Sequence, residues 1–131
     1  MSGLSTYTQN AILNWLKGTT MPSAPAAVYV GLFNGDPTDA GSGGAEVTTT
    51  VRAAGRVAAT FGNITGNTSI ANSADVDFGQ AAGAATASHF GLFSAASGGQ
   101  LLASGALAAS QSIVATNLVK FATGALTVTV D

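Results

Sequence analysis

The sequence predicts a mainly β protein: an antiparallel sandwich of about eight to nine short strands, preceded by one N-terminal amphipathic helix. Three observations carry this. Beyond residue 26, short apolar stretches recur between clusters of Gly, Asn, Asp and Ser, the punctuation of an antiparallel sandwich or barrel. Only one segment has helical periodicity. Long helices do not alternate with strands, so a parallel sheet with helical crossovers does not fit.

The helix is expected over residues 4–17, within "LSTYTQNAILNWLKG". Leu4, Tyr7, Ala11, Ile12, Trp15 and Leu16 fall near one face. Ser5 suits the N-cap, Gly18 suits the C′ position, and Lys17 complements the dipole in the last turn. An apolar helical face is ordinarily core, so packing on the domain's own interior is the first expectation; docking on a neighbour is the alternative. Residues 18–26 hold Pro22 and Pro25 and read as a linker.

From residue 27 to 131 everything reads as β. "AAVYVGLF" is a strand that breaks into the turn-rich "NGDPTDAGSGG". "EVTTTV" and "GRVAATF" are expected as short strands, and "NITGNTSIANSA" as a loop with one short strand near Ser69. "ADVDFG" alternates, so Asp75 and Asp77 face water if Val76 and Phe78 face the core. "ATASHFGLF" repeats the first strand's Gly-Leu-Phe. "QLLASGAL", "QSIVA", "LVKFA" and "ALTVTVD" complete the set. In each Gly-Leu-Phe strand, Gly and Phe share one face and Leu the other. Glycine weakens a strand interior unless something bulky must approach closely, so Gly31 and Gly91 are read as packing devices.

The 131 residues are expected to form one domain. They are 47% hydrophobic and only 8% charged, against about 25% charged in an ordinary soluble domain. No apolar run reaches the ~18 residues of a membrane span, and the β-branched and aromatic strands argue against disorder. The remaining explanation is a folded domain whose Ser/Thr/Asn/Gly/Ala surface suits permanent assembly. The net charge is −2. Only Arg52 and Arg56 are close together, so nucleic-acid binding is not expected. With no cysteine, disulfides and thiolate metal sites are excluded. The N-terminus lacks the basic and apolar regions of a secretory signal, which points to synthesis in a cytoplasm.

No catalytic constellation emerges. His89 is the single histidine and reads as a structural strand residue. Neither a GxSxG elbow nor a phosphate-binding loop is present. Asp36 and Asp39 supply oxygen donors in a Gly-rich turn, yet a hairpin turn explains them more simply than calcium. Asp75 and Asp77 resemble an acid/base pair only in spacing; solvent-facing strand aspartates are commoner. Asn63 and Asn67 match the glycosylation triplet within a loop already rich in Asn, Ser and Thr. No enzyme activity, cofactor or metal is expected.

The order "LSTYTQNAILNWLKG", "VYVGLFNGDPTDAGSG", "VDFGQA", "SHFGLFSAASGGQLLASGAL" and "KFATGALTVTVD" resembles a family of small bacteriophage virion proteins. The resemblance spans nearly the whole chain, and its most distinctive parts are the paired Gly-Leu-Phe strands. Members are often labelled tail fibre proteins and look like jelly-roll-like capsid decoration, or cement, proteins. The resemblance implies no catalytic residues.

One compact unit without heptads or shaft repeats favours capsid decoration on the outer shell, stabilising contacts between major capsid subunits. A tail fibre or tail-tip component, with host-glycan binding by Tyr7, Trp15 or Tyr29, is the alternative. Partners are then the major capsid protein and copies of the chain itself, as dimers or trimers. The expected contact residues are Tyr7 and Trp15 on the helix, Asp36 and Asp39 in the first loop, and Asn63 and Asn67 in the second.

Overall fold

The computed structural model describes residues 2–130. Ten strands and two helices follow in the order β1 (Ser2–Leu4), α1 (Thr6–Leu16), β2 (Val28–Asn34), β3 (Ala45–Glu46), α2 (Thr48–Val51), β4 (Val57–Ala59), β5 (Ser69–Ala71), β6 (Val76–Gln80), β7 (Ala85–Phe93), β8 (Leu101–Ile113), β9 (Leu118–Phe121) and β10 (Thr127–Thr129). All strand pairings are antiparallel.

One six-stranded sheet runs β1-β8-β7-β2-β3, with β4 also pairing β2. Two separate ribbons, β5–β10 and β6–β9, form the opposing layer. Between them lies the main core: Val30 and Leu32 of β2, Phe90 and Leu92 of β7, Val76 and Phe78 of β6, and Leu126 and Val128 around β10. The arrangement is sandwich-like, with its second layer divided into ribbons.

The sheet also buries a small cluster on its other face, Phe33, Phe93 and Leu101. Alternation along β2 and β7 sends their residues to opposite sides, as the sequence requires. Buried Asn72 joins the turns beneath the ribbons. Its amide donates to the carbonyls of Ala74 (2.9 Å) and Ala122 (3.0 Å), and its oxygen accepts from the Leu126 N–H (2.9 Å).

Several elements depart from expectation. "EVTTTV" is not a strand: β3 stops at Glu46 and residues 48–51 form a helical turn. Thr48 explains the break. Its hydroxyl accepts from the Leu32 N–H at 2.9 Å and donates to Glu46 at 2.7 Å, so the side chain takes a place that strand pairing would have used. "QLLASGAL" and "QSIVA" are one strand, β8, interrupted by a wide bulge. On β7, Ser88 alone stands opposite the four residues 107–110. Leu4 belongs to β1, not to the helix, because residues 2–4 pair with Gly105–Ala103 of β8.

Candidate functional site

The helix α1 is fastened at one end. Ser5 is its N-cap, its Oγ accepting from the Thr8 N–H at 3.2 Å. The Ser5 and Thr6 N–H groups donate to the carbonyls of Leu102 (2.9 Å) and Asp39 (2.8 Å). The Thr8 hydroxyl donates to Leu102 O at 2.8 Å, and the Gln9 amide donates to Leu4 O at 3.0 Å. Orphan donors of the first turn are thereby satisfied by the sheet and the first loop.

Beyond Ile12 the helix stands off the body. No α1 residue is buried; Leu13, Trp15 and Leu16 are 59%, 58% and 69% exposed. The expectation of a core helix is therefore corrected. Its apolar residues spread around the cylinder, and only Thr8, Ala11 and Ile12 are partly covered. Gly18 (φ +102) ends the helix in the left-handed region. The exposed chain that follows carries Met21 beside Trp15.

The two aspartates of the first loop have local roles. Asp36 Oδ1 accepts from the Thr38 N–H at 2.8 Å, an Asx turn. Asp39 meets α1 through its carbonyl and through Gln9, whose amide lies 3.4 Å from Oδ2. Tyr7 and Asp39 are thus brought to one end of the helix and Trp15 to the other. Asn63 and Asn67 are exposed in a different loop, whose hydrogen bonds run to β5 and β10. Asn67 (φ +65) occupies the left-handed region that Asn tolerates.

A second surface lies between the β8 bulge and β9. It is a groove of about 380 Å³ with a mixed lining, in which Leu107, Ile113, Leu118, Val119 and Phe121 are apolar and Gln111, Ser112 and Asn117 polar. Among the described residues, Lys120 is the one charged residue lining it. Leu118 is 78% exposed. The bulge makes the groove by carrying residues 107–110 out of register with β7. The residues that form the bulge, Ala108 to Ser110, fall between "QLLASGAL" and "QSIVA", the two stretches expected as separate strands.

A protein-family model described as "Podophage GP4 fiber I protein gp80" matches residues 3–129. That span takes in all of β1 but Ser2, then α1 and every strand through β10.

The chain belongs to the podophage GP4 fiber I protein gp80 family.

It is a phage structural protein and a virion component. No curated protein matches it.

In this fiber I family member, sequence reasoning missed one cluster. Arg56 donates to both Glu46 carboxylate oxygens at 2.9 Å and to the carbonyls of Ala95 (3.0 Å) and Gly98 (2.7 Å). Its guanidinium lies 3.4 Å from the Phe93 ring centroid. Partial burial would raise the Glu46 pKa, but the Arg56 and Thr48 hydrogen bonds and the guanidinium charge outweigh it and hold it below its ordinary value. The cluster ties β3, β4 and the loop after β7 together. Arg52 likewise binds carbonyls, of Gly55 and Arg56.

Asp75 and Asp77 do not act as a pair. Asp75 Oδ1 accepts from Thr123 through its N–H and hydroxyl (2.9 and 3.0 Å), and these bonds with nearby Lys120 lower its pKa. Asp77 Oδ1 accepts from the Gly79 N–H at the β6 bulge. The Ser88 hydroxyl lies 2.9 Å from His89 Nδ1 and accepts from the Gly35 N–H, a loop-pinning arrangement.

Proposed function

We propose that this protein is a fibre subunit of the phage virion, a small β domain that attaches to its neighbours through the apolar end of α1. The observation that carries the reading is a helix bound to its own sheet at the first turns, with Leu13, Trp15 and Leu16 more than half exposed at the other end. Exposed apolar clusters of this kind mark protein contacts. The low charge of the chain, 8%, leaves little repulsion between copies. Its role is mechanical, adding buried area to an assembly, with no chemical step. The fibre label of the family supports placement in a fibre.

Capsid decoration is the second reading, favoured by the lack of heptads or shaft repeats in the sequence. The partner would then be the major capsid protein at joints of the outer shell. Host-glycan contact in a fibre tip would fall to Tyr7 and Trp15, the exposed aromatics of α1.

Immunogold labelling of intact particles tests the proposal. Label at the tail or its fibres is the expected result. Label spread over the head would replace it with decoration, and label on no particle would overturn both.

A further inference from the structure

Asn34 ends β2 and is the one asparagine of the chain followed by glycine. The pair opens the loop between β2 and β3. An Asn-Gly pair carries chemistry of its own. The backbone nitrogen of the second residue can attack the side-chain amide carbon of the first, and glycine has no side chain to shield that nitrogen. The two reacting groups are held unequally here. Asn34 is exposed, and among the described residues none forms a hydrogen bond to its side-chain amide. The Gly35 N–H, in contrast, donates to the Ser88 hydroxyl at 2.8 Å, and His89 Nδ1 holds that hydroxyl from its other side at 2.9 Å.

We propose that Asn34–Gly35 is a self-modifying site, converted through a succinimide to aspartate and isoaspartate, and that Ser88 restrains the conversion. The step needs only water. Gly35 N gives up its proton and bonds to Asn34 Cγ. The Cγ–Nδ2 bond breaks, and ammonia leaves with that proton. Water then opens the ring. Attack at Cγ restores the ordinary chain and leaves aspartate. Attack at the backbone carbonyl leaves isoaspartate, with the chain routed through Cγ and longer by one carbon.

The other asparagines are shielded. Asn14, Asn63, Asn67 and Asn117 precede Trp15, Ile64, Thr68 and Leu118, whose side chains crowd the nitrogen. Asn72 precedes a serine, but its amide is buried and bonded to the carbonyls of Ala74 and Ala122. Asn10 lies within α1, where helical hydrogen bonding fixes the backbone.

Ring closure requires a local opening that frees Gly35 from Ser88 and Asn34 from its strand partner Ala45. Ser88 is the β7 residue left opposite the β8 bulge, so the restraint comes from a different part of the sheet. The loop has no room for an added carbon. A methyl group on Gly35 would lie 3.2 Å from Gly44 Cα, and one on Gly44 would lie 2.6 Å from the Gly35 carbonyl oxygen. Isoaspartate therefore displaces β3 and draws Glu46 away from Arg56.

Trypsin isolates the site, because residues 18–52, between Lys17 and Arg52, hold Asn34 and no other Asn or Gln. Full-length protein is aged at mildly alkaline pH, below its melting temperature, and then digested. Peptide 18–52 is expected to gain the mass of an amide-to-acid exchange ahead of peptide 57–120, which holds Asn63, Asn67, Asn72 and Asn117. Part of the product is expected to accept a methyl group from an isoaspartyl methyltransferase. Ser88→Ala is expected to convert peptide 18–52 about two- to tenfold faster, the range that one hydrogen bond supports, with peptide 57–120 unchanged in rate.

A peptide 18–52 that stays unmodified in both wild type and Ser88→Ala overturns the site. Ser88→Ala converting at the wild-type rate overturns the restraint. So does a Ser88→Ala protein in which both peptides speed up together, because general loss of stability then accounts for the change.

Discussion

Gly31 and Gly91 stand directly opposite each other on β2 and β7. Their pairing explains the doubled Gly-Leu-Phe. The two strands run antiparallel, so each Phe lies two residues beyond its own glycine and toward opposite ends. Phe33 and Phe93 then fold back over the bare backbone, stacked with centroids 6.0 Å apart and planes 13° from parallel. Arg56 covers Phe93 from outside. The repeat is a two-sided seat for a pair of rings.

A methyl group at Gly91 would lie 2.9 Å from Phe93, 3.0 Å from Phe33 and 3.1 Å from Leu101. Gly91→Ala is therefore expected to destabilise by about 1–3 kcal/mol through overpacking. At Gly31 a methyl group would lie 2.8 Å from the Glu46 carboxylate, 3.2 Å from the Thr48 hydroxyl and 3.3 Å from Phe93, and Arg56 and Thr48 hold that carboxylate by hydrogen bonds. Gly31→Ala should also destabilise, here by loosening the ion pair with Arg56. Urea unfolding midpoints give the comparison; a Gly91→Ala protein as stable as wild type would contradict the ring-seat account.

Trp15→Ala is expected to change stability by less than about 0.5 kcal/mol, as exposed substitutions do, yet to reduce incorporation into particles. Thermal melting and quantitative blotting of purified virions separate the effects. Early melting with normal incorporation would return α1 to the core.

Glu46 makes a definite pH prediction. Its pKa is lowered in the folded protein, so its contribution is complete above its ordinary value of 4.5 and disappears as pH falls through the lowered value. Glu46→Gln should be less stable than wild type near neutrality, and the difference should shrink as pH drops below that range. Asp75 is lowered too, but it is present in both proteins and cancels. A gap between the two melting curves that stays constant from neutral to acid pH would refute the assignment.

Asn72→Ala removes three hydrogen bonds from a buried site. It leaves the buried Leu126 N–H without a partner, while the Ala122 carbonyl keeps the Ala125 N–H, so a loss of about 1–3 kcal/mol is expected. Asn72→Asp keeps the shape but turns a donor into an acceptor facing two carbonyls, and should also destabilise. A melting temperature unmoved in both variants would show that the ribbons hold together without this hub.

Local chemistry made much of the architecture readable in the chain. Alternation and turn residues located β2, β6, β7, β9 and β10, the Ser5 cap and Gly18 bounded the helix, and the Gly-Phe spacing announced something bulky over the glycines. These features act between residues close in sequence, where steric limits and hydrogen bonding are the same in any fold. The candidate surface was half legible. Trp15 was singled out both on a face first expected to pack on the core and as an expected contact residue.

Tertiary structure alone decided the rest. Whether an apolar helix face is core or exposed depends on what packs beside it, and α1 is held by polar bonds at its first turns instead of by its Leu and Trp side chains. The choice of Glu46 and Phe93 as partners for Arg56, the bulge that opens the β8–β9 groove, and the Thr48 hydroxyl that ends β3 all arise between segments distant along the chain. Such contacts cost loop-closure entropy before they stabilise anything, so only the assembled sheet selects which of them form.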